Sequence, residues 1–346
     1  MLKNRHGSAV MVLFFLLFAL SFVPLAGCGD GEGQGVDDSA TMIVVDQLGR
    51  EVELPAKIDR VVTNYPMATQ IIYALGAGDK LVGCENSAQR ADFLAQIDDT
   101  FIELPEVGSP NEINVETTLS LDPDVVIVRC SISTEQVENL ESLGIKVLGM
   151  NCEDLDLMSE AVAMMGKTLG CENKSDDYIS YYQDQRNMIK KRLTNLKEDE
   201  KVGVYLNRGH MNTFGGDVYQ TDVLELCGGW NVAEELSGWA TTSKEQLLLW
   251  DPEYILVLSY SSDTPESVLA DPDLAPVKAV KEGNVLWFPS ELASWDYPSM
   301  QAVLGLLWCA KTLHPDKFKD IDVLEYADDY FVKFFGKSFT ELGGTL

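Results

Sequence analysis

Apolar positions along the chain form two alternating series separated by one long stretch with a single apolar face. In the first series, short Val/Ile/Leu-rich runs of strand length occur at Arg60–Asn64, Lys80–Gly83, Asp124–Arg129 and Ile145–Gly149. Between them, apolar residues recur at helical spacing over Met67–Leu75, Ser87–Gln96, Val115–Leu121 and Thr134–Leu143. Ahead of these, Met42–Val45 and Glu51–Leu54 flank Gln47-Leu48-Gly49-Arg50, which predicts a hairpin with glycine supplying the turn. Short apolar strands alternating with helices predict a parallel sheet covered on both faces.

Residues 172–200 break this rhythm. They contain neither Gly nor Pro, and Tyr178, Tyr182, Ile189, Leu193 and Leu196 share one face at near-helical spacing. A helix of that length, about 40 Å, is too long for a crossover between strands and predicts a rod between two lobes. The alternation then restarts with strand Lys201–Leu206, helices Thr221–Cys227 and Ser243–Trp250, strands Tyr254–Leu258 and Asn284–Phe288, and helices Ser299–Leu313 and Val323–Phe335.

The restart is a repeat. Glu116-Thr-Thr-Leu-Ser-Leu121-Asp122-Pro123-Asp124 aligns without a gap on Glu245-Gln-Leu-Leu-Leu-Trp250-Asp251-Pro252-Glu253, and a hydrophobic strand follows each copy. Proline disfavours helix at the residue before it, so both copies read as helix, stop, strand. A weaker match sets Thr69–Gly76 against Thr221–Gly228. The fold expected is α/β, with two similar lobes built on parallel-type sheets, joined by one long helix and facing each other across a ligand cleft. The boundaries are an N-terminal lobe over 42–171, a connecting helix over 172–200 and a C-terminal lobe over 201–346. Each lobe is long enough to pack a core of its own.

The first residues carry a different signal. Lys3 and Arg5 precede an apolar run, Ala9–Leu25, and then Ala26-Gly27-Cys28, which together predict a secretory signal over 1–27. The run is marginally long enough to span a bilayer, so an uncleaved anchor is the alternative. The Leu-Ala-Gly-Cys segment resembles the bacterial lipobox, which implies acylation of Cys28. Residues 28–41, rich in Gly and acids, then form a flexible tether. The folded body is expected outside the cytoplasm, lipid-anchored to the bacterial cell membrane. Six further cysteines lack any CxxC spacing, and their pairing stays open.

Charge narrows the partners. The chain has 26 Lys+Arg against 55 Asp+Glu, a formal net charge of −29. Phosphates would be repelled, so nucleic acid is excluded as the main partner. The sequence has no G-x-S-x-G, H-E-x-x-H, Walker A or G-x-G-x-x-G motif, and no enzyme is predicted. Beyond the signal only His210 and His314 remain, too few and too scattered for the His-rich sites that hold bare zinc or manganese. A metal would arrive already wrapped in an organic ligand.

Ligands of open α/β sheets collect at the carboxyl ends of strands. That rule selects Tyr65 and Arg129 in the first lobe, and Arg208, His210, Tyr260 and the loop Ser290–Tyr297 with Trp295 in the second. Trp239, in a Ser-Gly-Trp-Ala loop, suits a cleft rim. Arg129 and Arg208 follow hydrophobic strands at equivalent places in the two lobes and offer bidentate forks to an anionic chelate, or alternatively answer buried acids. The tyrosines could equally cap their strands, the tryptophans could be covered by packing, and a lone loop histidine such as His210 is commonly structural.

The order of GR-x-VELP, RVV, ALGAGDKLVG, EVGSPNEINVE, LSLDPDVVIV, LESLGIKVL, VLELCGGWN, LLLWDPEYILVL, VKAVKEGNVLW and LLWCAKTLHPDKF resembles the periplasmic-binding domain of iron–siderophore, haem and cobalamin importers, from about Met42 to Phe335. The resemblance implies a monomeric, non-enzymatic receptor without cofactor that hands an iron(III) chelate to an ABC permease and its ATPase. Haem and cobalamin are alternative ligands, and a sensor or adhesion lipoprotein is the alternative of a different class. It further implies that Glu116 and Glu225, one from each lobe, dock on permease arginines. The helical rod would limit cleft closure.

Overall fold

The computed structural model describes residues 40–87, 91–290 and 292–346. The signal, Cys28 and most of the tether lie outside the described residues. In chain order the first lobe comprises the predicted hairpin β1 (Thr41–Val45) and β2 (Glu51–Pro55), β3 (Val61–Thr63), α1 (Pro66–Ala74), β4 (Leu81–Gly83) and the short α2 (Leu94–Ile97). It continues with two-residue strands β5 (Gly108–Ser109) and β6 (Glu112–Ile113), α3 (Val115–Ser120), β7 (Val125–Arg129), α4 (Thr134–Ser142), β8 (Val147–Met150) and α5 (Leu157–Leu169). After the connecting helix α6 (Glu172–Leu193) come β9 (Val202–Asn207), β10 (Asn212–Phe214), α7 (Tyr219–Leu226), β11 (Gly229–Asn231), β12 (Trp239–Thr241) and α8 (Lys244–Trp250). The chain closes with β13 (Tyr254–Val257), α9 (Pro265–Leu269), α10 (Lys278–Glu282), β14 (Val285–Trp287), α11 (Ala302–Leu313) and α12 (Val323–Phe335).

Both main sheets are parallel. Their orders are β4-β3-β7-β8 and β11-β9-β13-β14. Numbered within its own lobe, each sheet runs second, first, third, fourth strand. The winding therefore reverses at the same place in both, between β3 and β7 and between β9 and β13. The repeat read from the sequence has a local cause as well. Asn114 and Ser243 cap α3 and α8 by accepting from the Thr117 and Gln246 N–H groups. Asp122 and Asp251 end the two units in left-handed backbone, at φ 45° and 44°, a conformation aspartate tolerates better than most residues.

Strand residues alternate between two layers, as pleating requires. Val61, Val125 and Ile127 enter one buried cluster, whereas Val62, Val126 and Val128 enter another with Val137 and Leu140. In the second lobe Val204 and Leu256 face the same large cluster as Val61, while Tyr205 and Ile255 pack outward with Leu247. The expectation of separately packed halves therefore needs correction. One continuous core joins the inner faces of both sheets to α6, α11 and α12.

The rod is shorter than predicted. α6 stops at Leu193, followed by a tight turn at Glu198–Glu200. Thr194 and Asn195 are poor helix formers, and the Lys197 N–H is captured by Glu200 Oε2 at 2.9 Å. Its buried face contains Tyr178, Tyr182, Ile189 and Leu193 as expected. Two helical expectations fail differently. Among the described residues Ser87–Gln96 yields only the single turn α2, because Phe93 and Leu94 enter the core at successive positions. Conversely α5 escaped notice, although Met158, Val162, Met165 and Leu169 mark its buried face and Gly170 ends it at φ 69°.

α12 has the predicted span but an unpredicted reach. Phe331 and Phe335 meet Phe93 of the first lobe edge-on at 5.6 and 5.2 Å, and Phe334 meets Tyr178 of α6 at 5.4 Å. Gln96 Nε2 donates to the Leu342 carbonyl at 3.1 Å. The end of the chain thus braces the first lobe.

Candidate functional site

The two winding reversals open onto one cavity of about 920 Å³. Its walls include Tyr65, Gln70, Arg129 and Glu153 from the first lobe and Tyr260 and Tyr297 from the second. Small-molecule pockets run from roughly 300 to 1,000 Å³, so this one accommodates a ligand of substantial size.

On the first lobe, Arg129 is the last residue of β7, and its Nη2 donates to Glu153 Oε1 from the loop after β8. Arg129 Nε is buried without a partner. Tyr65 precedes α1, whose N1 position is Pro66, and its N–H donates to Thr63 Oγ1 at 3.0 Å. The Tyr65 hydroxyl lies 3.2 Å from Cys152 Sγ, and burial raises its pKa well above the usual phenol value. Burial likewise pushes the Cys152 thiol up to about 12.

The second lobe holds its arginine by a different device. Arg208 follows β9, and its guanidinium lies 3.7 Å from the Trp239 ring centroid and 4.7 Å from that of Phe214. Phe214 and Trp239 are register partners in the β10–β12 ribbon. Stacking fixes the plane of the guanidinium and leaves its N–H edge open to a ligand. Tyr260 follows β13 in left-handed backbone, φ 63°, with 86% of its surface exposed. That conformation is uncommon for a bulky residue.

Tyr297 also lines the cavity, and its ring lies 6.3 Å from that of Tyr260 at 81°. Burial raises the Tyr297 phenol, while Arg129 and Arg208 both pull it down. Cations from opposite lobes therefore act on one hydroxyl. Behind it, buried Asp296 accepts from Ser259 Oγ at 2.6 Å and from the Ser259 N–H at 3.1 Å. Burial pushes this carboxyl up to about 6, against the pull of Ser259 and Arg208.

The structure brings Tyr65, Arg129 and Tyr260 to this cavity wall, whereas Arg208 and the Trp239 beneath it stand outside the lining, with the Arg208 charge still felt at Tyr297 and Asp296. It places Trp295 elsewhere: the ring is 1% exposed and packs on Phe339 at 5.4 Å, because the loop turns it into the shared core. His210, at φ 51°, borders a separate hollow of about 280 Å³ on the second lobe. The two arginines flank corresponding reversals but not corresponding strands, since Arg129 ends the third strand of its sheet and Arg208 follows the first of the other. Glu116 and Glu225 are both exposed, Glu116 in the first turn of α3 and Glu225 near the end of α7. The repeat partner of Glu116 is Glu245, exposed in the first turn of α8.

Tyr297, Glu153 and Asp296 were not singled out from the sequence. Tyr297 lay within a selected loop, where the larger Trp295 drew attention. Nothing local to Glu153 or Asp296 distinguishes them among 55 acids. Among the described residues no group of three His, Cys, Asp or Glu could hold a metal ion, and no helix is long and apolar enough to cross a membrane.

A family model for periplasmic binding protein matches residues 61–292. The chain belongs to the periplasmic binding protein family. This binding protein is 27% identical over 329 residues to the molybdate-binding protein MolA of Haemophilus influenzae, covering 87% of this chain and 92% of that one. It is 24% identical over 332 residues to the uncharacterized ABC transporter substrate-binding lipoprotein YvrC of Bacillus subtilis, covering 92% and 100%. The structure of MolA bound to molybdate superposes with a TM-score of 0.77 at 25% identity, over 86% of this chain and 98% of that one. Such proteins bind solutes without transforming them. This one is the extracytoplasmic substrate-binding protein of an ABC importer, partnered by a permease and an ATPase.

Proposed function

We propose that this protein captures an anionic, oxygen-rich metal species, an iron(III) chelate above all, and delivers it to its permease. The observation that carries the reading is Arg129 on the cavity wall among Tyr65, Tyr260 and Tyr297, with the charge of Arg208 from the opposite lobe also reaching Tyr297. Two fixed cations beside tyrosine rings suit an anionic ligand with flat organic surface. The volume of about 920 Å³ favours a wrapped metal over a bare oxyanion. Haem and cobalamin gain less support, since Tyr65 turns its hydroxyl to Cys152 and His210 lies outside the cavity. A second reading, molybdate or a like oxyanion, is favoured by the similarity to MolA and by the same arginine pair.

In this reading Cys28 carries the acyl anchor and the receptor works as a monomer. Glu116 docks on the permease with a glutamate of the second lobe, either Glu225 or the repeat partner Glu245. An import role, rather than sensing or adhesion, requires that docking. The ligand is tested by titrating the soluble part with ferric chelates, haemin, cobalamin and molybdate while following tryptophan fluorescence. Micromolar binding of a ferric chelate supports the first reading, and binding of molybdate alone replaces it with the second. Binding only of a neutral ligand overturns both.

A further inference from the structure

Charge around the cleft is unevenly committed. Arg208 lies against Trp239 and has no carboxylate at ion-pair distance among the described residues. Arg129, in contrast, is already engaged by Glu153. The placement of Glu153 is built in. Its N–H donates to Asn151 Oδ1 at 3.0 Å, and the Asn151 N–H donates to Gln47 Oε1 at 2.7 Å. The loop after β8 is thereby tied to the β1–β2 hairpin, which delivers the carboxylate to the cavity wall. The side chain nevertheless remains 47% exposed, and ion pairs in that setting are weak enough to be exchanged for a better partner.

We propose that Glu153 is an internal counter-ion that sets the ligand charge the cleft accepts. It pairs with Arg129 on the cavity wall, so that Arg208 is open and Arg129 is released only to a group that displaces the carboxylate. A ligand with one anionic group binds through Arg208 with Glu153 in place. Each further negative charge on the ligand meets Glu153 before it reaches Arg129. This inference rests on the reading of the cleft as an anion receptor.

The test compares wild type with Glu153→Gln across four probes: trianionic ferric tris-catecholate, dianionic molybdate, monoanionic perrhenate and a neutral ferric trihydroxamate. Loss of the competing carboxylate should tighten the trianion and dianion about tenfold and the monoanion about threefold, leaving the neutral chelate within about twofold. Asp92→Asn removes a carboxylate from the same cavity without uncovering Arg129, and measures the purely long-range effect. If an anion binds wild type and Glu153→Gln tightens it no more than Asp92→Asn does, the counter-ion role is wrong while the receptor reading stands. If no anion binds either protein, the receptor reading falls and this inference with it.

Discussion

In the first lobe an arginine leaves the end of β7 and meets the carboxylate of Glu153. In the second, an arginine leaves the end of β9 and lies flat on Trp239. Both lobes wind their sheets in the same order, and both arginines stand at the point where the winding reverses. The shared winding fixes where a ligand can sit, while the loops decide how each cation is held. A half-exposed ion pair contributes about 0–1 kcal/mol and neutralises the charge it holds. Stacking on an indole contributes about 0.5–2 kcal/mol and leaves the charge free. In the proposed anion receptor Arg208 is thus the stronger anchor and Arg129 the conditional one.

The largest test of this lobe comparison concerns the permease. If the lobes dock as a pseudo-symmetric pair, Glu116→Ala with Glu245→Ala should lower uptake more than about tenfold while ligand affinity is unchanged, because separated surface charges govern encounter and orientation. Glu116→Ala with Glu225→Ala should then retain most uptake beyond the loss due to Glu116 alone. The reverse outcome in a transport assay would assign docking to Glu225 and end the symmetric view.

Affinity supplies the next comparison. Arg208→Gln should weaken an anionic ligand about 30-fold, equivalent to about 2 kcal/mol, and Arg129→Gln only about threefold to fivefold. Equal losses by calorimetry would show that the two cations are committed alike.

The smallest effect follows from Asp296, which sits in the field of Arg208. Its folded-state pKa of about 6 lies above the unfolded value of about 3.9. Protonation below about 6 removes a negative charge near Arg208, so lowering the pH from neutrality through about 6 should tighten anion binding a few-fold. The same shift means that stability contributed by protonated Asp296 is full below about 4 and is lost as the pH rises from there through about 6. Asp296→Asn should flatten the affinity profile, and an unchanged slope would remove Asp296 from the linkage.

Much of this organisation was legible in the sequence. The helix–Asp-Pro–strand repeat announced two similar sheets because the same physical devices recur: a cap at Asn114 and Ser243, and a left-handed aspartate before proline. The face of α6 was legible because its tyrosines recur at helical spacing. Strand-end reasoning picked out Arg129, which lines the cavity, and Arg208, which stands beside it, since strand ends can be read from hydrophobic runs. It misjudged Trp295 because loop residues turn inward or outward according to packing that composition does not encode. Glu153 and Asp296 were hidden for the same reason, their roles arising from contacts with Arg129 and Ser259 that lie far away in sequence. The shared core was invisible too, since α12 reads as an ordinary amphipathic helix whichever lobe it covers.

That last contact bears on biogenesis. Behind the cavity wall, Phe331 and Phe335 pack on Phe93 and the Leu342 carbonyl accepts from Gln96. A chain emerging N-terminus first therefore leaves Phe93 without these partners until α12 has followed it across the membrane. A product cut short before α12 would lack the aromatic rings that back Phe93.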